Sequence, residues 1–129
     1  MPLVSDVMER DLLAVPADNA LLDTAKRMAE RNVGAALVLD GERIAGILTE
    51  RDLLRAVAAE HAADDVVSDW MTPNPETIDA SDTTEDAAVL MIHGGFRHLP
   101  VLEGGAVIGI VSIRDLVRVT LADTAPRGA

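Results

Sequence analysis

The chain has 129 residues, 49% of them apolar and 2% aromatic, so a buried core is feasible but must be built from aliphatic side chains. It contains no cysteine, which excludes disulfides, thiolate metal sites and a cysteine nucleophile. Its 22 acidic residues outnumber 11 basic ones, so it lacks the basic face that a nucleic acid polymer or a membrane surface requires. With no signal-peptide pattern and no apolar run as long as a membrane span, we expect a soluble cytoplasmic protein.

An internal repeat organises the sequence. The chain aligns with itself at an offset of 63 residues without a gap, giving 19 identical pairs. Ser5-Asp6-x-Met8, for example, matches Ser68-Asp69-x-Met71. This self-similarity predicts two copies of one unit, domain 1 at residues 1–63 and domain 2 at residues 64–129. The two copies fill the sequence, so we expect no further domain for catalysis or DNA binding.

Each copy is predicted to contain the same elements in chain order. A helical turn comes first, then a short extended stretch, an amphipathic helix, two strands joined by a hairpin turn, and a closing helix. In the first copy we place them at residues 5–8, 13–15, 21–31, 35–39, 43–48 and 50–60. In the second copy we place them at residues 68–71, 77–78, 82–93, 99–102, 106–111 and 113–122.

Local signals set the helix boundaries. Asp82 with Glu85 forms a capping-box pattern, and Asn32 and Gly94-Gly95 are typical of helix ends. The closing helices show an apolar stripe in each copy: Leu53, Leu54, Val57 and Leu116, Val117, Leu121. One copy alone has too little surface to bury. The predicted class is therefore α/β (α+β), two strand-helix-strand-strand-helix repeats packed sheet against sheet as a pseudo-two-fold pair.

One pattern, Gly-apolar-x-Thr/Ser-x-x-Asp, occurs once per copy where the second strand meets the closing helix. Its polar members are Thr49 with Asp52 and Ser112 with Asp115. A hydroxyl beside the unpaired N–H groups of a helix start suits a phosphate, and a carboxylate one turn later can accept two hydrogen bonds from a ribose. The glycine lets a backbone or a ligand approach. The same spacing is also a helix-capping pattern, and both interpretations can hold together.

These motifs together resemble the CBS-domain pair, a module also called the Bateman module. The Ser-Asp-x-Met opening, the Gly-Phe-Arg-His-Leu-Pro-Val segment at residues 95–101 and the repeated strand-to-helix pattern carry the resemblance over residues 3–123. It implies that Asp52 and Asp115 take a ribose and that Thr49 and Ser112 take a phosphate. It also implies adenine contacts from three extended residues: Val15, Thr77 and Ile78.

Several cationic side chains flank the predicted sites. Arg97 and His98 occupy positions where the first copy has glycine and alanine, which suggests either one stronger nucleotide site or a surface arginine with a hydrogen-bonded histidine. Arg51 and Arg114 lie in a first helical turn, where a cation opposes the helix dipole. An anionic partner or a simple Arg-Asp pair explains them.

No constellation in the sequence indicates catalysis. The three histidines lack metal-ligand spacing, and phosphate-binding Gly-Lys and nucleophile-elbow motifs are absent. We therefore predict a regulatory sensor without enzymatic activity and without a required cofactor. By resemblance its ligand is an adenosine nucleotide, AMP or ATP, with S-adenosylmethionine less favoured, and the chain forms a homodimer. The alternative is a ligand-free dimerisation or client-protein module with vestigial clefts.

Overall fold

The computed structural model describes residues 2–124 and shows a mixed α/β chain. Met1 and residues 125–129, the end of predicted domain 2, lie outside the described residues. The elements in chain order are α1 (Val4–Val7), β1 (Ala14–Val15), α2 (Leu21–Arg31), β2 (Ala35–Asp40), β3 (Arg43–Thr49), α3 (Glu50–Ala58), a 3-10 turn (Val67–Asp69), β4 (Thr72–Pro73), β5 (Ile78–Asp79), α4 (Thr84–Gly94), β6 (His98–Glu103), β7 (Ala106–Ser112) and α5 (Ile113–Thr124). The mixed class and the repeated element order agree with the prediction.

The chain divides into two compact units. The contiguous unit comprises residues 11–75, and the composite unit joins residues 2–10 to residues 76–124. The contiguous unit has a four-stranded sheet in the order β1-β2-β3-β4, and the composite unit has a three-stranded sheet in the order β5-β6-β7. In each sheet the first strand runs parallel to the second, and the second and third strands form an antiparallel hairpin.

The opening segments of the two repeats are exchanged between these units. Met8, from the first repeat, belongs to the core of the composite unit, and Met71, from the second, packs against the core of the contiguous unit. A Cβ built on Gly46 would lie 2.6 Å from the Met71 Sδ, and one built on Gly109 would lie 2.6 Å from the Met8 Sδ. The backbone approach expected at these glycines is therefore made by the opening segment of the other repeat.

Helix ends follow the local signals with one correction. Asn32 and Gly95 both adopt left-handed backbone conformations directly after α2 and α4, as expected of C-terminal caps. The predicted capping box of Asp82 with Glu85 is wrong. The N-cap of α4 is Thr83, whose side chain accepts a hydrogen bond from the Asp86 N–H. Asp82 instead accepts a hydrogen bond from the Asp79 N–H across the preceding turn.

The apolar stripes of the closing helices are only partly buried. Asp52 and Ala56 are the buried residues of α3, whereas Leu54 is 68% exposed and Val57 is 61% exposed. On α5, Leu116 is buried but Val117 and Leu121 are exposed. A pattern of apolar spacing cannot say which side of the stripe meets the sheet, and here much of it faces outward. No helix among residues 2–124 is both long enough and apolar enough to cross a bilayer.

We expect Gly46→Ala to destabilise the protein by about 2–3 kcal/mol, more than Gly41→Ala, because its Cβ would meet both the Met71 sulfur and the Thr72 carbonyl oxygen. Adding Met71→Ala should restore only part of the loss, since the carbonyl oxygen remains. Urea unfolding measures both effects. Gly41→Ala is the control: its Cβ has open space, and its positive φ alone should cost about 1 kcal/mol. A Gly46→Ala protein no less stable than Gly41→Ala would contradict the packing argument.

Candidate functional site

The junction of β3 and α3 places Thr49 and Asp52 one helical turn apart. The Thr49 N–H donates to Asp52 Oδ2 at 2.8 Å, and the Thr49 hydroxyl donates to the same oxygen at 3.1 Å. The carboxylate thereby closes the start of α3, where a negative charge is favourable to the helix dipole. The capping interpretation of this pattern is correct in the contiguous unit.

The junction of β7 and α5 repeats the arrangement in the composite unit. The Ser112 N–H donates to Asp115 Oδ2 at 2.8 Å, and its hydroxyl donates to that oxygen at 3.0 Å. The Asp115 N–H donates back to Ser112 Oγ at 3.2 Å, which completes a reciprocal capping box. In both predicted pairs the hydroxyl and the carboxylate are thus in contact, because the two residues lie three positions apart in the turn from strand to helix.

The backbone donors expected for a phosphate are fewer than the sequence suggested. The Glu50 N–H donates to the Gly34 carbonyl at 3.1 Å, and the Ile113 N–H donates to the Arg97 carbonyl at 2.9 Å. Arg51 and Arg114 are the second residues of α3 and α5, where the helix itself provides no acceptor for the backbone N–H. In each first turn the backbone donor that a phosphate could use is therefore that of the arginine, two residues after the hydroxyl-bearing residue. Sequence reasoning singled out these arginines for their side chains alone.

The second carboxylate oxygen distinguishes the two units. Asp52 is 5% exposed, and its Oδ1 lies 3.8 Å from Arg55 Nη1, a loose ion pair. Asp115 is half-buried, and within the described part of the chain its Oδ1 has neither a hydrogen bond nor an ion pair. The acceptor left open at α5 is therefore more accessible than its counterpart at α3.

Strand pairing brings Arg97 and His98 to the Ser112 junction. His98 lies directly opposite Ser112 in the β6–β7 hairpin, and Ala35 lies opposite Thr49 in the other unit. Opposed residues of an antiparallel pair project from the same face of the sheet, about 5 Å apart at Cβ. His98 is half-buried and Arg97 is exposed. The composite unit alone therefore has an imidazole opposite the residue that caps its closing helix, and an exposed arginine one position earlier in the chain.

The three residues expected to contact adenine lie on or next to the first strand of each sheet. Val15 in β1 and Ile78 in β5 are buried in the cores of their units, and Thr77 is half-buried immediately before β5. Because β1 and β5 are edge strands, their backbone groups have one unpaired side. A base contact at Val15 or Ile78 would therefore use the backbone.

One further carboxylate, that of Asp79, is held by its neighbours in the chain. The Ser81 hydroxyl donates to Asp79 Oδ1 at 2.7 Å and holds the pKa of Asp79 below its usual value, with help from the Ser81 N–H. This carboxylate lies in the turn before α4. In the part of the chain that the structure describes, no cluster of histidine, aspartate and glutamate could hold a metal ion.

The repeated strand-to-helix junction has a counterpart in a known family. The family model of the CBS domain matches this chain twice, at residues 4–59 and 67–122. The chain belongs to the CBS-domain family. Both matches include a capped junction, with Thr49–Asp52 in the first and Ser112–Asp115 in the second, and together they show a CBS-domain pair.

Relatives of this CBS-domain pair occur in archaea, bacteria and plants. A 17.7 kDa uncharacterized protein of Acidianus ambivalens is 37% identical over 92% of this chain and 73% of its own length. YlbB of Bacillus subtilis is 32% identical over 90% of this chain and 80% of its own length. The CBS domain-containing protein CBSCBSPB1 of Arabidopsis thaliana is 38% identical over 78% of this chain, which spans only 19% of that protein.

Solved structures share the architecture of the pair. The CBS-domain containing protein ATU1752 from Agrobacterium tumefaciens superposes with a TM-score of 0.86 at 35% identity, covering 92% of this chain and 98% of that one. CBSX2, solved in complex with AMP, gives a TM-score of 0.83 at 27% identity, covering 96% and 99% of the two chains. The pair from MJ0100, solved with 5-methylthioadenosine and S-adenosyl-L-methionine, has a TM-score of 0.90 at 21% identity over 96% and 99% of the chains and shows a shared fold.

We expect Asp52→Ala to lower the free energy of unfolding by about 1–2 kcal/mol, because Asp52 Oδ2 accepts from both the N–H and the hydroxyl of Thr49. Asp115→Ala should cost a similar amount through Ser112. Urea unfolding at neutral pH measures the losses. Asp40→Ala, at the exposed β2–β3 turn, is the control and should change stability little. If Asp52→Ala matched this control, the capping role would be refuted.

Proposed function

We propose that this CBS-domain pair is a regulatory sensor that binds an adenosine nucleotide and has no catalytic activity. The proposal rests on one observation: the two carboxylate oxygens of each aspartate have different environments. Oδ2 is held by the N–H and hydroxyl of the strand end, whereas Oδ1 accepts no hydrogen bond from residues 2–124, and in Asp52 it has only the loose ion pair with Arg55. A fixed carboxylate oxygen that lacks a donor suits the vicinal hydroxyls of a ribose, which donate without disturbing the cap. The AMP complex of CBSX2 adds support from a relative.

We infer that the composite unit holds the stronger site. A nucleotide phosphate would meet the first-turn Arg114 N–H and the side chains of Arg97 and Arg114, whereas the contiguous unit offers only the N–H and side chain of Arg51. These local cations matter because the chain as a whole carries a formal charge of −11, which repels an anionic ligand. His98 adds a second polar group beside Ser112.

The hydroxyls can donate to a ligand only after they give up a hydrogen bond, whereas the aspartates have an oxygen ready to accept. The single hydrogen of Ser112 Oγ is already donated to Asp115, and that of Thr49 Oγ1 to Asp52. To donate to a phosphate, either hydroxyl must release its aspartate, which the backbone N–H continues to hold. We therefore assign ribose recognition to Asp115 and Asp52, and phosphate recognition first to the Arg114 and Arg51 N–H groups.

Isothermal titration calorimetry with AMP, ATP and S-adenosylmethionine tests the sensor. We expect heat with AMP or ATP and a Kd raised about tenfold or more by Asp115→Ala, since a hydrogen bond to a charged group is lost. Asp52→Ala should have the smaller effect. Glu103→Ala, an exposed acid in the β6–β7 turn, is the matched control for charge and should leave the Kd unchanged.

Failure of all three ligands to give heat in ligand-free protein, with a melting temperature unmoved by the same panel, would overturn the nucleotide proposal. A persistent dimer would then favour the alternative, a module for dimerisation or for a client protein. The cytoplasmic location expected from the sequence stays a prediction.

We further propose that the chain forms a homodimer through the outward apolar sides of its helices. Leu54 and Val57 are exposed on α3, and Val117 and Leu121 are exposed on α5. On α4, Ile92 is 73% exposed. Apolar side chains that recur at helical spacing on an outer face are typical of association surfaces.

Leu121→Asp combined with Leu54→Asp should convert the dimer to a monomer, because each charge would be desolvated in the interface. Size-exclusion chromatography with light scattering at micromolar concentration measures the mass. Ala106→Asp, on an exposed hairpin position, controls for the added charge and should leave the dimer intact. A double variant that stays dimeric would place the interface elsewhere.

A further inference from the structure

In the contiguous unit a strap, residues 67–73, holds the strand that carries the site. Val67 is fully buried, and the Met71 sulfur lies against Gly46. Thr72 and Pro73 pair with Ile47 and Gly46 of β3, and β3 ends at Thr49 only two residues beyond Ile47. A shift of the strap along β3 therefore acts close to the Thr49–Asp52 cap.

A short connector joins this strap to the other predicted site. The Asn74 N–H donates to the Ala45 carbonyl at 3.1 Å, and Ile78 begins β5 of the composite unit. Only Pro75, Glu76 and Thr77 intervene, so the chain from residue 74 to residue 78 spans at most about 14 Å. The prolines at positions 73 and 75 restrict the backbone further. A displacement at Thr77 therefore has only three residues over which to be absorbed before it reaches Asn74.

The first repeat has the same connection in the opposite direction. Glu9 exchanges two backbone hydrogen bonds with Ile110 of β7, at 2.8 and 3.0 Å, two residues before Ser112. Four residues after Glu9, the Leu13 carbonyl accepts from the Leu37 N–H of β2. Asp11, between them, is held by a 2.7 Å hydrogen bond from Arg31 Nη2. Each connector thus leads from a strap on one site strand to the first strand of the other unit.

We propose that these crossed connectors couple the two nucleotide sites, an inference that rests on the proposed function. A base bound against Thr77 and the β5 edge repositions residues 75–77, and with them the strap that holds β3 and the Thr49–Asp52 cap. The coupling requires the strap to have two states, docked on β3 as the structure shows it and released from β3. Such a coupling is reciprocal and changes the affinity of one site for its ligand when the other is filled.

The single tryptophan of the chain reports on the strap directly. Trp70 lies within residues 67–73, is half-buried, and donates from Nε1 to Asp65 Oδ2 at 2.8 Å. Asp65 also accepts the Leu21 N–H through its backbone carbonyl, so the indole is tied to the start of α2. A change in strap position alters the polarity around the indole and hence its emission.

The experiment titrates AMP into an Asp52→Ala protein, where the contiguous unit's site is weakened and the composite unit's site fills first, and records both the calorimetric heat and the Trp70 emission. We expect the two signals to share one midpoint. Inserting Gly-Gly between Pro75 and Glu76 should keep the heat and abolish the emission change. The same insertion between Gly104 and Gly105, in the β6–β7 turn, is the matched control and should keep both signals. In the protein with both sites intact, the 75/76 insertion should also remove a coupling of about fivefold between the sites.

Two outcomes with AMP overturn the coupling while leaving the sensor intact: heat without any Trp70 response, or a response that survives the 75/76 insertion. Absence of heat with AMP, ATP and S-adenosylmethionine in the unsubstituted, ligand-free protein, with an unmoved melting temperature, overturns the sensor instead. Hydrogen exchange of the Asn74 amide in ligand-free protein then decides whether the connector holds the strap. The 75/76 insertion should speed that exchange about tenfold and the 104/105 insertion should not, because only the first adds slack beside the Asn74–Ala45 bond. Unchanged exchange refutes the connector.

Discussion

A methionine sulfur lying against a strand glycine closes each unit of this protein. Met71 covers Gly46, and Met8 covers Gly109, at a separation that leaves no space for a Cβ. Three residues after each glycine comes the hydroxyl-bearing residue that ends the strand. The contact therefore fixes the strand that leads into the candidate site. In both units this contact is made by the opening segment of the other repeat.

The strand-to-helix junction reconciles two interpretations that the sequence left open. Capping is real in both units, and it consumes only one oxygen of each aspartate. The cap fixes the carboxylate before any ligand arrives, so binding needs little ordering of the acceptor. The hydroxyl, in contrast, is committed to the aspartate and has to change partner before it can donate to a ligand. A motif that stabilises a helix can in this way also prepare a recognition group.

The sequence was informative where the determinants are local. The hairpins, the closing helices and the Thr49–Asp52 and Ser112–Asp115 pairs depend on residues within a few positions of one another, and the 63-residue offset tests each assignment twice. The exchange of opening segments was not predictable, because a Ser-Asp-x-Met segment carries no information about which sheet it joins. The two-residue strand β4 was missed because it contains Pro73, which is tolerated only at a sheet edge. The exposure of apolar residues on the closing helices was not predicted, because apolar spacing identifies a stripe on a helix but not the surface against which that stripe packs.

The exchanged opening segments determine where this molecule can be divided. A cut at the repeat boundary near residue 63 would leave each half with one uncovered glycine strand and one segment that has no strand to cover. A chain carrying a single repeat could complete its sheet only by trading that segment with a second chain. When two such chains are fused, the exchange of opening segments takes place within one molecule and no longer needs a second one. The duplication is thus a means of making a reciprocal exchange independent of concentration.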